Sequence, residues 1–295
     1  MTAAALAALA AFGIVGGVLA GLVGIGGGAV FVPFLYLLLE HPAWSGMVVP
    51  DARITLVAHA TSLLVIVPTA LSALRTYGRA GLVPWRVVVP MGLMAAVSAA
   101  LTTRVAPALP GGLLRGAFAV FLVVVGARLL TGRSAPTGQP ARGDAHPVLG
   151  AVGGLLVGAF SALLGVGGGL LAIPVLLYGL HVDLKRVAAA SMGIVVFAAV
   201  AGTLGYLTSR TAGLPPGSVG WVLAPAALAL TPGAVLGARW GAQLNQRLNV
   251  DALRRVFAVV FLALGLRLGW SAVAAPSPLE PVREGPVAPS PGPVS

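Results

Sequence analysis

Cysteine is absent, and only seven residues are Asp or Glu. The first absence excludes disulfides, thiolate metal sites and cysteine nucleophiles. The second is as restrictive. Glu40, Asp51, Asp144, Asp183, Asp251, Glu280 and Glu284 all fall in expected loops or in the C-terminal tail. Proton pumps and cation antiporters usually bury a carboxylate within a span. Cation channels often ring the pore with them. Neither arrangement is available to this sequence. Charge of either sign is scarce, at 8% of the 295 residues, against roughly 25% in a soluble domain. Such a chain cannot clothe a surface for water.

What is there is hydrocarbon. The hydrophobic fraction is 58%, and the mean hydropathy is +1.00. The apolar segments read Ala3–Val23, Ala29–Leu39, Ile54–Leu74, Val87–Thr103, Leu113–Leu130, Val148–Leu164, Leu170–Leu180, Val187–Leu207, Trp221–Ala238 and Val256–Ala274. The expected class is an all-α, polytopic membrane protein whose partner is the lipid bilayer. No Lys or Arg precedes the first apolar run, which therefore reads as a membrane segment and not a cleaved signal peptide. The net charge of +11 does not point to nucleic acid, because the basic residues stand singly between apolar stretches and read as membrane anchors.

The chain repeats itself. Gly24, Gly26, Gly27, Gly28 and Pro33 align with Gly165, Gly167, Gly168, Gly169 and Pro174. Upstream, Gly13 and Gly17 align with Gly154 and Gly158. Near the end of each half, Leu114, Arg115 and Phe118 align with Leu253, Arg254 and Phe257. The expected organisation is a first transmembrane repeat over 1–130, a polar linker over 131–147, a second repeat over 148–275 and a disordered Pro-rich tail over 276–295.

The second and seventh segments are too short to cross, since eleven or so residues cover about half of a 30 Å core. Either each glycine break turns the chain back, or each broken pair crosses once. If the breaks turn the chain, twelve Lys and Arg fall on one side and six on the other, a positive-inside bias. The crossing arrangement divides them almost evenly. The first is favoured. It gives an odd number of segments per half, two tandem halves in inverted orientation, and both termini outside the cytoplasmic membrane.

The glycine runs are the first candidate site. They leave backbone groups unpaired at mid-membrane, where lipid cannot satisfy them. The short helices after them would expose N-terminal N–H groups, which favour anions. The alternative is that the glycines only allow tight packing, as Gly13, Gly17, Gly21 and Gly150, Gly154, Gly158 are expected to do. The second candidate is His59, Thr61 and Ser62, with Ser191 as the counterpart of Ser62. These side chains would line a cavity or donate to an oxyanion, or else satisfy helix carbonyls. His59 is the titratable group well inside an apolar segment, a functional site or a hydrogen-bonded packing residue. It has no histidine match, Ala189 or Ala190 standing there. Gly24-x-Gly26-x-x-Ala29 loosely fits a dinucleotide fingerprint, but no strand precedes it. The four histidines, at 41, 59, 146 and 181, form no H-E-x-x-H, and G-x-S-x-G and the P-loop are missing. No cofactor and no metal are expected. An anion channel, and less so an intramembrane enzyme, stand as alternatives to a carrier driven by the proton gradient or membrane potential. A homo-oligomer is compatible with the sequence, which does not specify one.

With G-x-G-G-G-x4-P at Gly24–Pro33 and Gly165–Pro174, A-x-A-T-S-L at Ala58–Leu63 and the two LRxxF elements, the chain resembles the sulfite exporter TauE/SafE family of membrane permeases over roughly residues 10–270. The resemblance implies transport, expected outward, of a small anion such as sulfite, sulfoacetate or a related organosulfur compound. The second half departs from T-S-L, with Ala190, Ser191 and Met192, and His59 stands where a smaller residue is expected.

Overall fold

The computed structural model describes residues 3–42, 46, 48–131, 147–209, 211, 213–247 and eight positions between 258 and 270. Helices make up nearly all of it. In chain order they are α1 (Ala3–Val23), α2 (Gly28–Leu39), α3 (Asp51–Arg79), α4 (Trp85–Val105), α5 (Gly111–Thr131), α6 (Pro147–Leu164), α7 (Gly169–Pro174), α8 (Leu184–Leu207) and α9 (Ala224–Asn245). Between its described ends the linker lies outside the described residues. So do the Pro-rich tail and the second LRxxF element, Leu253–Phe257.

Among the described residues five helical stretches are long and apolar enough to cross a membrane: Ala5–Val23, Arg53–Arg79, Trp85–Ala108, Pro147–Leu164 and Arg186–Leu207. The chain is a multi-pass helical membrane protein. α3 and α8 are its centre, 78% and 72% of their apolar windows being buried. The outer helices turn Val97, Leu101, Val120 and Leu228 outward, where a soluble protein would place charge and a membrane protein meets lipid.

The glycine breaks turn the chain back. The Phe12 and Phe34 rings stack at 3.8 Å. A β-carbon at Gly16 would lie 2.3 Å from the Phe31 ring, and one at Gly27 would lie 3.1 Å from Ala20. These contacts step down α1 as they step up α2, so the two helices are antiparallel. The second half repeats the device. Gly179 packs on Leu149, Gly153 on Val175, and Gly168 on Val157 and Ser161. α2 has twelve residues, and α7 has six before a π turn over Val175–Gly179. At about 1.5 Å per residue neither crosses a core of about 30 Å.

Small residues decide which helices meet. β-carbons at Gly13, Gly17 and Gly21 would sit 2.3, 2.2 and 2.1 Å from the carbonyl oxygens of Leu230, Ala234 and Ala238. Gly233, Gly237 and Gly241 answer from α9 against Ala10, Ile14 and Val18. α1 and α9 therefore pack parallel, backbone to backbone. In the same way Gly154 and Gly158 of α6 face Met91 and Ala95 of α4. Each half thus lends its first helix to the other half.

Two expectations change. Gly150 does not join the close contact, since a β-carbon there would meet only Leu180 at 4.0 Å. The ninth segment starts as a helix at Ala224, not at Trp221. Ser218–Val219 and Val222–Leu223 pair there as two short antiparallel strands. Gly220 holds φ at 55° between them, and Pro225 in the first turn of α9 sets the helical start.

Candidate functional site

The two turns are built alike. Gly24, Gly26 and Gly27 have φ of 82°, 89° and 87°, and Gly165, Gly167 and Gly168 have 65°, 81° and 77°. Only glycine adopts this left-handed backbone without strain, which explains why the same residues recur. Gly27 and Gly168 cap α2 and α7, and neither helix has a side-chain cap. The first-turn N–H groups therefore face the turns without a side-chain acceptor.

The turns touch each other. A β-carbon at Gly28 would lie 2.4 Å from the Gly165 carbonyl oxygen, and one at Gly169 would lie 2.6 Å from that of Gly24. The contact is reciprocal. Two further glycines meet the same apolar pair: Gly26 packs on Val195 and Ile66, and Gly167 on Ile66 and Val195. These two residues lie near the midpoints of α3 and α8. The helix starts therefore meet midway along the central helices, with hydrocarbon beside them.

Side chains pin the turns from both halves. The Ser62 hydroxyl donates to the Gly165 carbonyl at 2.9 Å. The Ser191 hydroxyl donates to Gly24 at 2.7 Å and lies 3.2 Å from the Gly169 carbonyl. Behind them Tyr77 donates to Gly21 at 2.6 Å, and Tyr206 to Ala162 at 2.9 Å. Both tyrosines are fully buried. The hydroxyls thus hold turn carbonyls, while the Gly24 and Gly165 N–H groups donate to the Ala20 and Ser161 carbonyls at 2.9 and 3.0 Å. The N–H groups that open α2 and α7 have no side-chain acceptor.

The other expected residues are placed as follows. Thr61 accepts a hydrogen bond from the Leu223 N–H at 3.0 Å and ties α3 to the start of α9. His59 is fully buried, its Nε2 paired with the Tyr36 hydroxyl of α2. Its backbone backs the second turn, since a β-carbon at Gly165 would lie 2.5 Å from the His59 Cα. Gly24 meets the Ala188 Cα at 2.7 Å in the same fashion. The counterpart of His59 is therefore Ala188, not Ala189 or Ala190, and the Ser62–Ser191 pairing keeps that register. Pro33 and Pro174 lie inside the short helices, about 7.5 Å beyond the turns. Pro174 marks where α7 gives way to its π turn, while α2 continues past Pro33 to Leu39.

Sequence reasoning missed Ser161. It is fully buried, and its hydroxyl has no partner among the described residues. Its β-carbon is 3.3 Å from where Gly168 would carry one. The repeat puts Ala20 at the equivalent place in the first turn, so the signal was a hydroxyl in one copy and not in the other. Among the described residues no cluster of His, Cys, Asp and Glu has metal-binding geometry.

Known proteins agree on the class. The family model described as sulfite exporter TauE/SafE matches residues 9–268. A probable membrane transporter protein of Methanocaldococcus jannaschii is 24% identical over 86% of this chain and 91% of its own. One from Haemophilus influenzae is 25% identical over 87% and 95%. The probable membrane transporter protein YunE of Bacillus subtilis is 25% identical over 88% and 96%. No solved structure matches the chain. Glycine hairpins in a multi-pass helical chain and a family match over nearly its whole length lead to one assignment: this membrane transporter belongs to the sulfite exporter TauE/SafE family.

Proposed function

We propose that the chain is a secondary carrier that exports a small anion, such as sulfite, sulfoacetate or a related organosulfur compound, across the cytoplasmic membrane. The anion binds between the two glycine turns. The observation that carries this reading is the meeting of two uncapped helix starts, Gly28 and Gly169, midway along α3 and α8. Helix starts carry partial positive charge and free N–H donors. They hold an anion without the cost of a buried cation.

The donors are the N–H groups of Gly26, Gly27 and Gly28 and of Gly167, Gly168 and Gly169; those of Gly24 and Gly165 close the ends of the preceding helices on Ala20 and Ser161. The Ser161 hydroxyl joins them, because a buried unpartnered donor beside a turn favours an acceptor arriving there. Ser62 and Ser191 position the turns. His59 with Tyr36, Thr61, Pro33 and Pro174 shape the surrounding helices. The turns touch in this conformation, so binding needs them to part. In the proposed cycle the two halves, inverted in the membrane with both termini outside, rock about the turns. Ile66 and Val195 close the path between strokes.

The test is uptake of labelled sulfite and of sulfonates by proteoliposomes under an imposed pH gradient or potential. Saturable transport of one of them is the expected result. No transport of any small oxyanion would overturn the reading. Gly27→Leu and Gly168→Leu variants that inserted normally and carried the anion at wild-type rates would overturn the site.

A further inference from the structure

Between α3 and α9 lies a cleft of about 360 Å³, away from the glycine turns. Its floor includes Pro68, Leu71 and Leu236, and its rim Arg75, Arg79 and Arg239. The Ser72 hydroxyl donates to the Val235 carbonyl at 2.8 Å and stitches the two helices between floor and rim. Thr76 donates to the Ser72 carbonyl at 3.1 Å. Both hydroxyls are therefore already used. Three guanidinium groups remain, and no Asp or Glu lines the cleft among the described residues. A second hollow of about 290 Å³ continues past Arg79 and Arg239 to Gln243 and Gln246. Trp240, 53% exposed, follows Arg239, and tryptophan marks the level of lipid headgroups.

The layering suits one ligand class. A small free oxyanion would use the basic rim and leave the apolar floor empty. A phospholipid uses both, with its phosphate on the arginines and an acyl chain along Pro68, Leu71 and Leu236. The equivalent positions in the other half carry no arginine. In the register set by Ser62 and Ser191, Arg75 and Arg79 correspond to Leu204 and Thr208. In the register of the α4 and α9 contacts, Arg239 corresponds to Ala100. Negative lipid is attracted to basic clusters at the cytoplasmic surface, and the arginine-rich end is the one expected to face it.

We infer that the cleft between α3 and α9 binds an anionic phospholipid of that leaflet, with Arg75, Arg79 and Arg239 on its phosphate. This inference holds whichever anion is carried. To test it, the full chain in neutral detergent is titrated with phosphatidylglycerol, phosphatidylcholine and sulfite, and followed by native mass spectrometry and thermal melting. Phosphatidylglycerol is expected to bind and raise the melting temperature, and phosphatidylcholine to do neither. The triple variant R75Q/R79Q/R239Q should bind it at least about tenfold more weakly. Arg79→Gln and Arg239→Gln should each weaken it in part, which keeps the test intact if the triple variant does not fold. Arg104→Gln, at the end of α4, should bind like the parent. Equal binding of the neutral lipid, or unchanged binding by both single variants, would overturn the proposal. So would displacement of phosphatidylglycerol by sulfite at concentrations that saturate transport, which would make the cleft a substrate entrance.

Discussion

The two glycine turns share a backbone conformation and differ in the side chains around them. The helices that leave them differ too, α2 running on to Leu39 and α7 passing into a π turn. Both turns use three glycines at positive φ, both are pinned by a serine and a tyrosine, and each blocks a β-carbon on the other. Yet the first turn has Ala20 where the second has Ser161, and the second is backed by His59 where the first is backed by Ala188. Reciprocal contacts thus govern how the turns are held, and the side-chain differences beside them fall on groups that bear polarity or charge. The cleft of Arg75, Arg79 and Arg239 follows the same rule. A duplicated scaffold keeps what geometry demands and lets the rest diverge.

The strongest way to break the comparison is at the point of contact. Gly28→Ala and Gly169→Ala each place a methyl group against the opposing backbone, at 2.4 and 2.6 Å. Overpacking of this kind costs about 1–3 kcal/mol, so transport should fall by roughly tenfold or more in both variants. Labelled-anion uptake by proteoliposomes, corrected for the amount inserted, measures it. Loss in one variant with none in the other would mean that the turns are not equal partners.

The serines come next. Ser62→Ala frees the Gly165 carbonyl, and Ser191→Ala frees that of Gly24 and removes the second contact to Gly169. An unsatisfied buried acceptor costs about 1–3 kcal/mol. Both variants should melt several degrees lower, Ser191→Ala the lower of the two. Equal melting of both variants and the parent would show that these bonds do not hold the turns.

The smallest expected effect concerns the histidine. His59→Ala gives the first half the residue that the second already has. With Tyr36→Phe it completes a double-mutant cycle, and hydrogen bonds within membranes couple by about 0.6 kcal/mol on average. Thermal melting of the four proteins should show non-additivity of that order. Strict additivity would separate His59 from Tyr36.

The glycine turns were legible because positive φ demands glycine and because a segment of twelve residues cannot span. Loop charge favoured turning back over crossing, and the Phe12–Phe34 stack with the Gly16 contact shows that turn directly. Ser161 was not legible. A serine in an apolar helix reads the same whether it bonds its own helix or faces a neighbour. Tyr77 and Tyr206 were hidden because their partners lie 56 and 44 residues away. The match of His59 to Ala188 was hidden because the backbone, not the side chain, makes the shared contact. The Gly150 stripe failed because glycine spacing alone does not say which glycine faces a helix.

The claim that the anion passes between the turns is tested most directly with a single introduced thiol. The chain has no cysteine of its own, so Ser161→Cys needs no cleared background, and Ala20→Cys is its partner in the first turn. Each variant is treated with a small anionic thiosulfonate in proteoliposomes, with and without the carried anion. Labelling that is slowed by that anion in both variants, and that blocks transport once complete, is the predicted result. Labelling at the same rate with and without the anion, while transport proceeds, would contradict the account.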